Sequence, residues 1–347
     1  LGRNMTFRGH YFSFMKGVFE RGEPERVPEN ERNLSNAWYL PHHGVYHPQK
    51  PDKLRVVFDG SAKYRNQSLN DHLLAGPDMI NSLIGVLLRF RLHPIAISCD
   101  IEKMFHRFMV IPEHRNYLRF LWYDENNIIT DFRMKVHIFG ATSSPACAKY
   151  GLNYIATRFG SEFPDAENFI HGCFYVDDGL TSCRSVDDAI SLLHHTKMIC
   201  AKANLNVHKL LSNVPEVLYK FPNSEWACEL DSEVISSCER ALGVSWCLKT
   251  DQFIFSFDLK DRLKEHTRRT VLSLTASIYD PLGLIAPVIL PAKLILQSSC
   301  VEGLGWDDLL PVHLSQAWSR WLLDMRETRI SDRKSTRLNS SHPSRSR

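Results

Sequence analysis

Phe174-Tyr175-Val176-Asp177-Asp178-Gly179 is the stretch on which the reading of this chain turns. It follows an apolar run, Phe169-Ile170 and then Cys173 to Val176, that reads as a strand, and its glycine invites a tight turn. The two aspartates are then expected at the tip of a hairpin. Adjacent carboxylates repel, so such a pair makes sense against something positive, such as divalent magnesium. Taken alone, Asp-Asp-Gly is also a good solvated turn, and the rest of the chain has to separate the two readings.

The 347 residues are enough for two or three compact units. Hydrophobic content of 44% and charged content of 23% fit a globular protein, and no apolar run has the length of a membrane span, so no membrane partner is expected. Leu1-Gly2-Arg3-Asn4 is not followed by an apolar segment, which argues against a signal peptide, and the absence of an initial Met suggests a piece of something longer. Nine cysteines without a Cys-x-x-Cys pair suggest reduced intracellular thiols. His42, His43 and His47 cluster, but no cysteine pair completes a zinc set near them.

The net charge of +3 is set by the last sixteen residues, which contribute +4 and leave about −1 for the remainder. Overall charge therefore gives no argument for nucleic acid. The tail word Asp332-Arg333-Lys334-Ser335-Thr336-Arg337-Leu338-Asn339-Ser340-Ser341-His342 looks like the in-frame translation of a sequencing-adapter oligonucleotide. The alternative is a disordered basic arm that grips phosphates.

In chain order, residues 11–19 form a short amphipathic stretch, and a charged, Pro-containing linker follows at 20–32. Trp38 to Tyr46 reads as extended, and Leu54-Arg55-Val56-Val57-Phe58 as a strand ending at Asp59-Gly60. Lys53 and Arg55, two apart, point to one face of it, which suits a polyphosphate or a solvated surface. Pro94 to Ile101 is an apolar strand carrying one acid, Asp100, at its end, where ligands commonly bind. Phe105 follows within reach of the same pocket. Leu118 to Tyr123 reads as a surface hairpin arm, and Ser144 and Pro145 as the start of a helix running to Arg158. Further helices are expected at residues 185–203, 267–278, 291–298 and 306–325, with a hairpin from Leu242-Gly243-Val244-Ser245-Trp246 and the strand at 252–257.

Six words then occur in order: Leu40-Pro41-His42-His43; Leu54 to Lys63; Asp100-Ile101-Glu102-Lys103-Met104-Phe105; Phe139-Gly140 with Ser144-Pro145; Tyr175-Val176-Asp177-Asp178; and Tyr279-Asp280-Pro281-Leu282-Gly283-Leu284-Ile285-Ala286-Pro287-Val288. Together they resemble the reverse transcriptase of long-terminal-repeat retrotransposons, most closely the Pao/BEL group, over residues 36–325. The resemblance implies an α+β right-hand polymerase fold with an antiparallel palm sheet backed by helices. Residues 1–35 would be an upstream segment, 36–75 and 108–143 the fingers, 76–107 and 144–258 the palm, 259–331 the thumb and start of a connection region, and 332–347 the tail.

The resemblance also implies the roles. Asp100, Asp177 and Asp178 would hold two magnesium ions, with manganese as a substitute, for attack of a primer 3′-hydroxyl on a deoxynucleoside triphosphate. Arg55, and more weakly Lys53, would grip the triphosphate, and Tyr175, Phe139 and Gly140 would lie near nucleotide and template. Phe105 would exclude a 2′-hydroxyl; as a residue it also reads as an ordinary core aromatic. Retroviral enzymes carry Gln where this chain has Phe139. Lys209, in Leu205-Asn206-Val207-His208-Lys209, resembles a lysine that protonates or neutralises pyrophosphate, although Leu210 stands where the subgroup usually has Trp. Leu242 to Trp246 corresponds to the primer grip.

Implied partners are an RNA or DNA template with its primer, in the cytoplasm within virus-like particles. Protease, RNase H and integrase domains would belong to the parent polyprotein but lie outside this chain. Two rival readings are a defective or domesticated element copy that binds RNA without polymerising, and an RNA-templated RNA polymerase. The intact carboxylates disfavour the first and Phe105 the second.

Overall fold

A computed structural model describes residues 4–47, 50–227, 238–255, 266–327 and 330–331. The tail at 332–347 and the end of the strand expected at 252–257 lie outside them. The chain opens with α1 (Met5–Glu20), β1 (Pro24–Arg26), β2 (His42–His47), β3 (Lys50–Phe58), α2 (Leu83–Phe90), β4 (Ile95–Ile101), β5 (Arg119–Tyr123) and β6 (Ile129–Met134). Then come α3 (Ser144–Phe159), α4 (Pro164–Cys173), β7 (Phe174–Tyr175), β8 (Asp178–Cys183), α5 (Val186–Ala201), β9 (Val207–Ser212) and α6 (Pro215–Leu218). The last part holds β10 (Cys238–Ala241), β11 (Val244–Cys247), β12 (Gln252–Phe255), α7 (Arg268–Ser277), α8 (Ala286–Val301), α9 (Val312–Glu327) and β13 (Ile330–Ser331). The fold is mixed α/β with antiparallel sheets.

The described residues fall into two compact units, each built from separated segments. The first draws on Leu1–Ile80, Ile101–His171 and His194–Val207, and the second on Asn81–Asp100, Gly172–Leu193 and His208–Arg347.

In the first unit β2 and β3 pair antiparallel, and β1, β6 and β5 form a three-stranded sheet in that order. Along β3, Leu54, Val56 and Phe58 are buried while Lys53 and Arg55 are exposed, the period of two that a half-buried strand requires. Tyr11, Met15 and Val18 of α1 recur at helical spacing and join the same core, with Phe120, Trp122, Phe132 and Met134. The segment read as a linker at 20–32 is part of this structure, because β1 pairs with β6.

The hairpin of β5 and β6 is not the surface feature expected of it. Arg119 is fully buried and donates to Asn116 Oδ1 at 3.0 Å and to the Arg32 carbonyl at 3.0 Å. Arg133 is held by Glu25 at 2.7 Å and Glu31 at 2.6 Å. Buried guanidinium groups are tolerated when their donors are matched in this way.

In the second unit the strand order is β7-β8-β4-β9, and α2 covers this sheet with Val86, Leu87 and Phe90. Phe90 also meets Trp246 of a second sheet, β10-β11-β12-β13, edge to face at 4.8 Å. The helices α7, α8 and α9 bury Val271, Leu274, Ile295, Trp318 and Trp321 among themselves. Thr267 caps α7 with a capping box. α8 begins at Ala286 rather than at Pro291, which lies inside it. Ile289, Ala292 and Ile295 are buried on both sides of the proline, so packing outweighs its local cost of about 3 kcal/mol. Among the described residues no helix is long and apolar enough to cross a membrane.

Candidate functional site

Asp100 lies next to the end of β4, and the register sets it directly opposite Asp178, the first residue of β8. Cross-strand partners share a face, so both carboxylates leave the sheet on one side. β7 pairs with β8 through Tyr175 and Asp178, which leaves Val176 and Asp177 as a two-residue turn. Val176 supplies the positive φ that such turns require, at 59°, a conformation a β-branched residue rarely adopts.

Two local expectations are corrected here. Phe169 and Ile170 belong to α4, and the strand before the acids is only two residues long. Gly179 is not in the turn but in β8, where a Cβ would fall 2.6 Å from the Phe174 ring and 2.9 Å from Cys99 Sγ. That position takes glycine for lack of room rather than for backbone freedom.

The electrostatics of the acids are unequal. Burial, then the Asp177 and Asp100 carboxylates, push Asp178 up to about 7. Burial and Asp100 also raise Asp177. Asp100 itself is contacted by Lys209 Nζ at Oδ2 and approached by His208 Nε2 at 3.4 Å from Oδ1. Among the described residues no group of three or more His, Cys, Asp or Glu stands ready-made to hold a metal. The donor chemistry nevertheless fits a hard divalent cation, since two partly buried carboxylates are short of positive charge and a third is engaged by an ammonium.

The other expected site residues belong to the first unit. Lys53 and Arg55 project from the solvent side of β3, with Arg55 opposite Val45. Phe105 sits in a short turn of 3-10 helix at Met104–Arg107, 8% exposed, and Phe139 covers it edge to face at 4.6 Å. Gly140, at φ 100°, passes so close to the end of β3 that a Cβ would meet the Phe58 carbonyl at 2.7 Å. Asn70 ties this crossing, its Nδ2 donating to the Gly140 carbonyl at 2.8 Å. Asp100, Asp177, Asp178, Tyr175 and Lys209 thus gather in the second unit, and Lys53, Arg55, Phe105, Phe139 and Gly140 are placed in the first.

Of the histidine cluster, His42 is used by the fold: Nε2 donates to the Leu121 carbonyl at 3.0 Å, so Nδ1 accepts from Tyr11 Oη. Burial lowers the His42 imidazole and pushes the Tyr11 phenol up to about 12. The residue that sequence reasoning missed is His208. Its only signal was adjacency to Lys209, and the alternation rule for strands assigns neighbours to opposite faces.

A family model described as "Pao retrotransposon-like RNaseH-like domain" matches residues 267–344. The resemblance puts any RNase H segment beyond this chain, a thumb and the start of a connection region at 259–331 and a tail at 332–347; the matched RNaseH-like model instead lies inside the chain across those two stretches, and its described part consists mainly of α7, α8 and α9. No curated protein matches the sequence. Among solved structures, the fold is similar to that titled "Structure of the foamy viral protease-reverse transcriptase dRH in complex with ds DNA", with a TM-score of 0.60 and 12% identity. That similarity covers 95% of this chain, which spans about half, 49%, of the foamy viral chain.

Proposed function

We propose that this chain is the polymerising part of a retrotransposon enzyme, an RNA-directed DNA polymerase that adds deoxynucleotides to a primer 3′-hydroxyl in a hand of fingers, palm and thumb. The observation that carries the reading is the in-register pair Asp100 and Asp178, with Asp177 in the adjoining turn and Asp178 raised to about 7. Carboxylates crowded on one sheet face are what a two-cation phosphoryl-transfer site needs. The similarity in fold to the foamy viral protease-reverse transcriptase structure supports it, and the C-terminal match to a Pao retrotransposon-like RNaseH-like domain supports the retrotransposon origin alone.

On this reading Asp100, Asp177 and Asp178 hold magnesium, or manganese in its place. When bound, such a pair of ions lowers the pKa of the primer hydroxyl and neutralises the leaving pyrophosphate. The exposed Arg55, with Lys53 beside it, grips the triphosphate through charge-assisted hydrogen bonds. Phe105 excludes a 2′-hydroxyl by occupying its space. Phe139 and Gly140 border nucleotide and template in the fingers, Tyr175 borders the acids in the palm, and Lys209 donates a proton toward the pyrophosphate.

Primer extension on an RNA template with magnesium tests the assignment. The doubly substituted Asp177→Ala, Asp178→Ala chain is expected to lose roughly a thousandfold in rate; equal incorporation by both proteins would sink it. Phe105→Ala should raise ribonucleotide relative to deoxynucleotide incorporation by about tenfold or more, and an unchanged ratio would return Phe105 to the core. The match over residues 267–344 favours a second reading for that segment alone, as the beginning of an RNase H-like module. Cleavage of the RNA strand of a hybrid by this chain would support it.

A further inference from the structure

β9 breaks a rule of strands. Successive side chains should leave on opposite faces, yet His208 and Lys209 both reach Asp100, one at each carboxylate oxygen. The backbone at Lys209 makes this possible: its φ is 50°, left-handed, and costs a non-glycine residue on the order of 1 kcal/mol or more. Strain of this kind persists where the surroundings impose it, and it collects at functional sites. His208 Nε2 is buried and forms no well-aligned hydrogen bond among the described residues, so its approach to Asp100 leaves that oxygen open to a better partner.

We propose that Lys209 is the resident counter-ion of Asp100 and is exchanged for a divalent cation when the carboxylate site is loaded, an inference that rests on the metal-site reading above. The two side chains are unequally placed for such an exchange. Asp100 is 17% exposed and fixed on a central strand, whereas Lys209 is 56% exposed and can swing its ammonium into water. The ammonium sits on the Asp100 oxygen that a cation held with Asp177 and Asp178 would take up. Loading the site then frees the ammonium beside it, where a leaving pyrophosphate requires a positive group. Arrival of the cation and release of Lys209 become one event.

The test is a magnesium titration of the full chain followed by thermal denaturation and by calorimetry, neither of which reads activity. Lys209→Met removes the charge. Lys209→Gly removes the charge and also suits the left-handed backbone, so it guards against a folding defect. Both should lower the half-saturating magnesium concentration by roughly two- to fivefold, the yield of removing one partly exposed competitor. Lys209→Arg should stay near the parent value. If Met and Gly leave half-saturation unchanged or weaken it while Asp178→Asn abolishes binding, the counter-ion proposal is overturned and the metal site stands. If magnesium affects neither the parent chain nor any variant, the metal-site reading falls and takes the proposal with it.

Discussion

Two groups of charges are withdrawn from water in this molecule, and they are settled in opposite ways. In the first unit Arg119 and Arg133 find acceptors at Asn116, Glu25, Glu31 and backbone carbonyls, and hydrogen bonds from Asn116 and Arg133 hold Glu31 below the usual carboxylate range. In the second unit three carboxylates face one ammonium, only Asp100 is also approached by an imidazole, and Asp178 is pushed up to about 7. The first group is complete within the protein. The second is short of positive charge, and such an imbalance persists where a ligand completes it. Balance marks structure here, and imbalance marks the candidate site.

The contrast can be broken most sharply at Arg133. Arg133→Met removes the cation that Glu25 and Glu31 share, leaving Arg115 on Glu25 and Asn116 on Glu31, and should give the largest loss of stability of the set in urea denaturation; a neutral result would remove the structural half of the comparison. Asp178→Asn should do the reverse, gaining about 2 kcal/mol at pH 8 in metal-free buffer, and on the proposed function it should also abolish primer extension. The sign follows from protonation. An acid whose folded pKa lies above its unfolded value binds protons more tightly when folded, so metal-free stability should decline as pH rises from about 4 to about 7, and the asparagine variant should show a shallower decline, the part that Asp177 contributes.

Glu102 supplies the smallest effect and the opposite slope. Hydrogen bonds from Asn206 and Lys103 hold its carboxyl down to about 2. Its contribution is therefore present above pH 4.5 and lost as pH falls toward 2. Because the side chain is partly exposed, Glu102→Gln should cost less than about 1 kcal/mol at neutral pH and flatten that acid limb.

What could be read from the sequence was local. The β3 alternation, the helix that starts at Ser144-Pro145 and the helix that follows Thr267 are each written in neighbouring residues. The start of α4 was equally legible, in Pro164 followed by Asp165 and Glu167, but the apolar Phe169-Ile170 masked it as a strand. The burial of Arg119 was not legible, because its acceptors come from residues 31, 32 and 116 and only the folded chain collects them. At the site, the three acids stood out as words, whereas His208 did not, because one left-handed residue reverses the face its neighbour would otherwise take.

Gly179 carries a consequence for how this site can vary. The volume a side chain would need there is already filled by Phe174 and Cys99, both almost fully buried. The three positions share one space, and in a close-packed interior that space is filled once. Enlarging any of them alone forces the others aside, along the two strands that carry Asp100 and Asp178. Substitutions at 99, 174 and 179 will therefore not add as independent sites do, and change at this end of the sheet has to come as compensated sets.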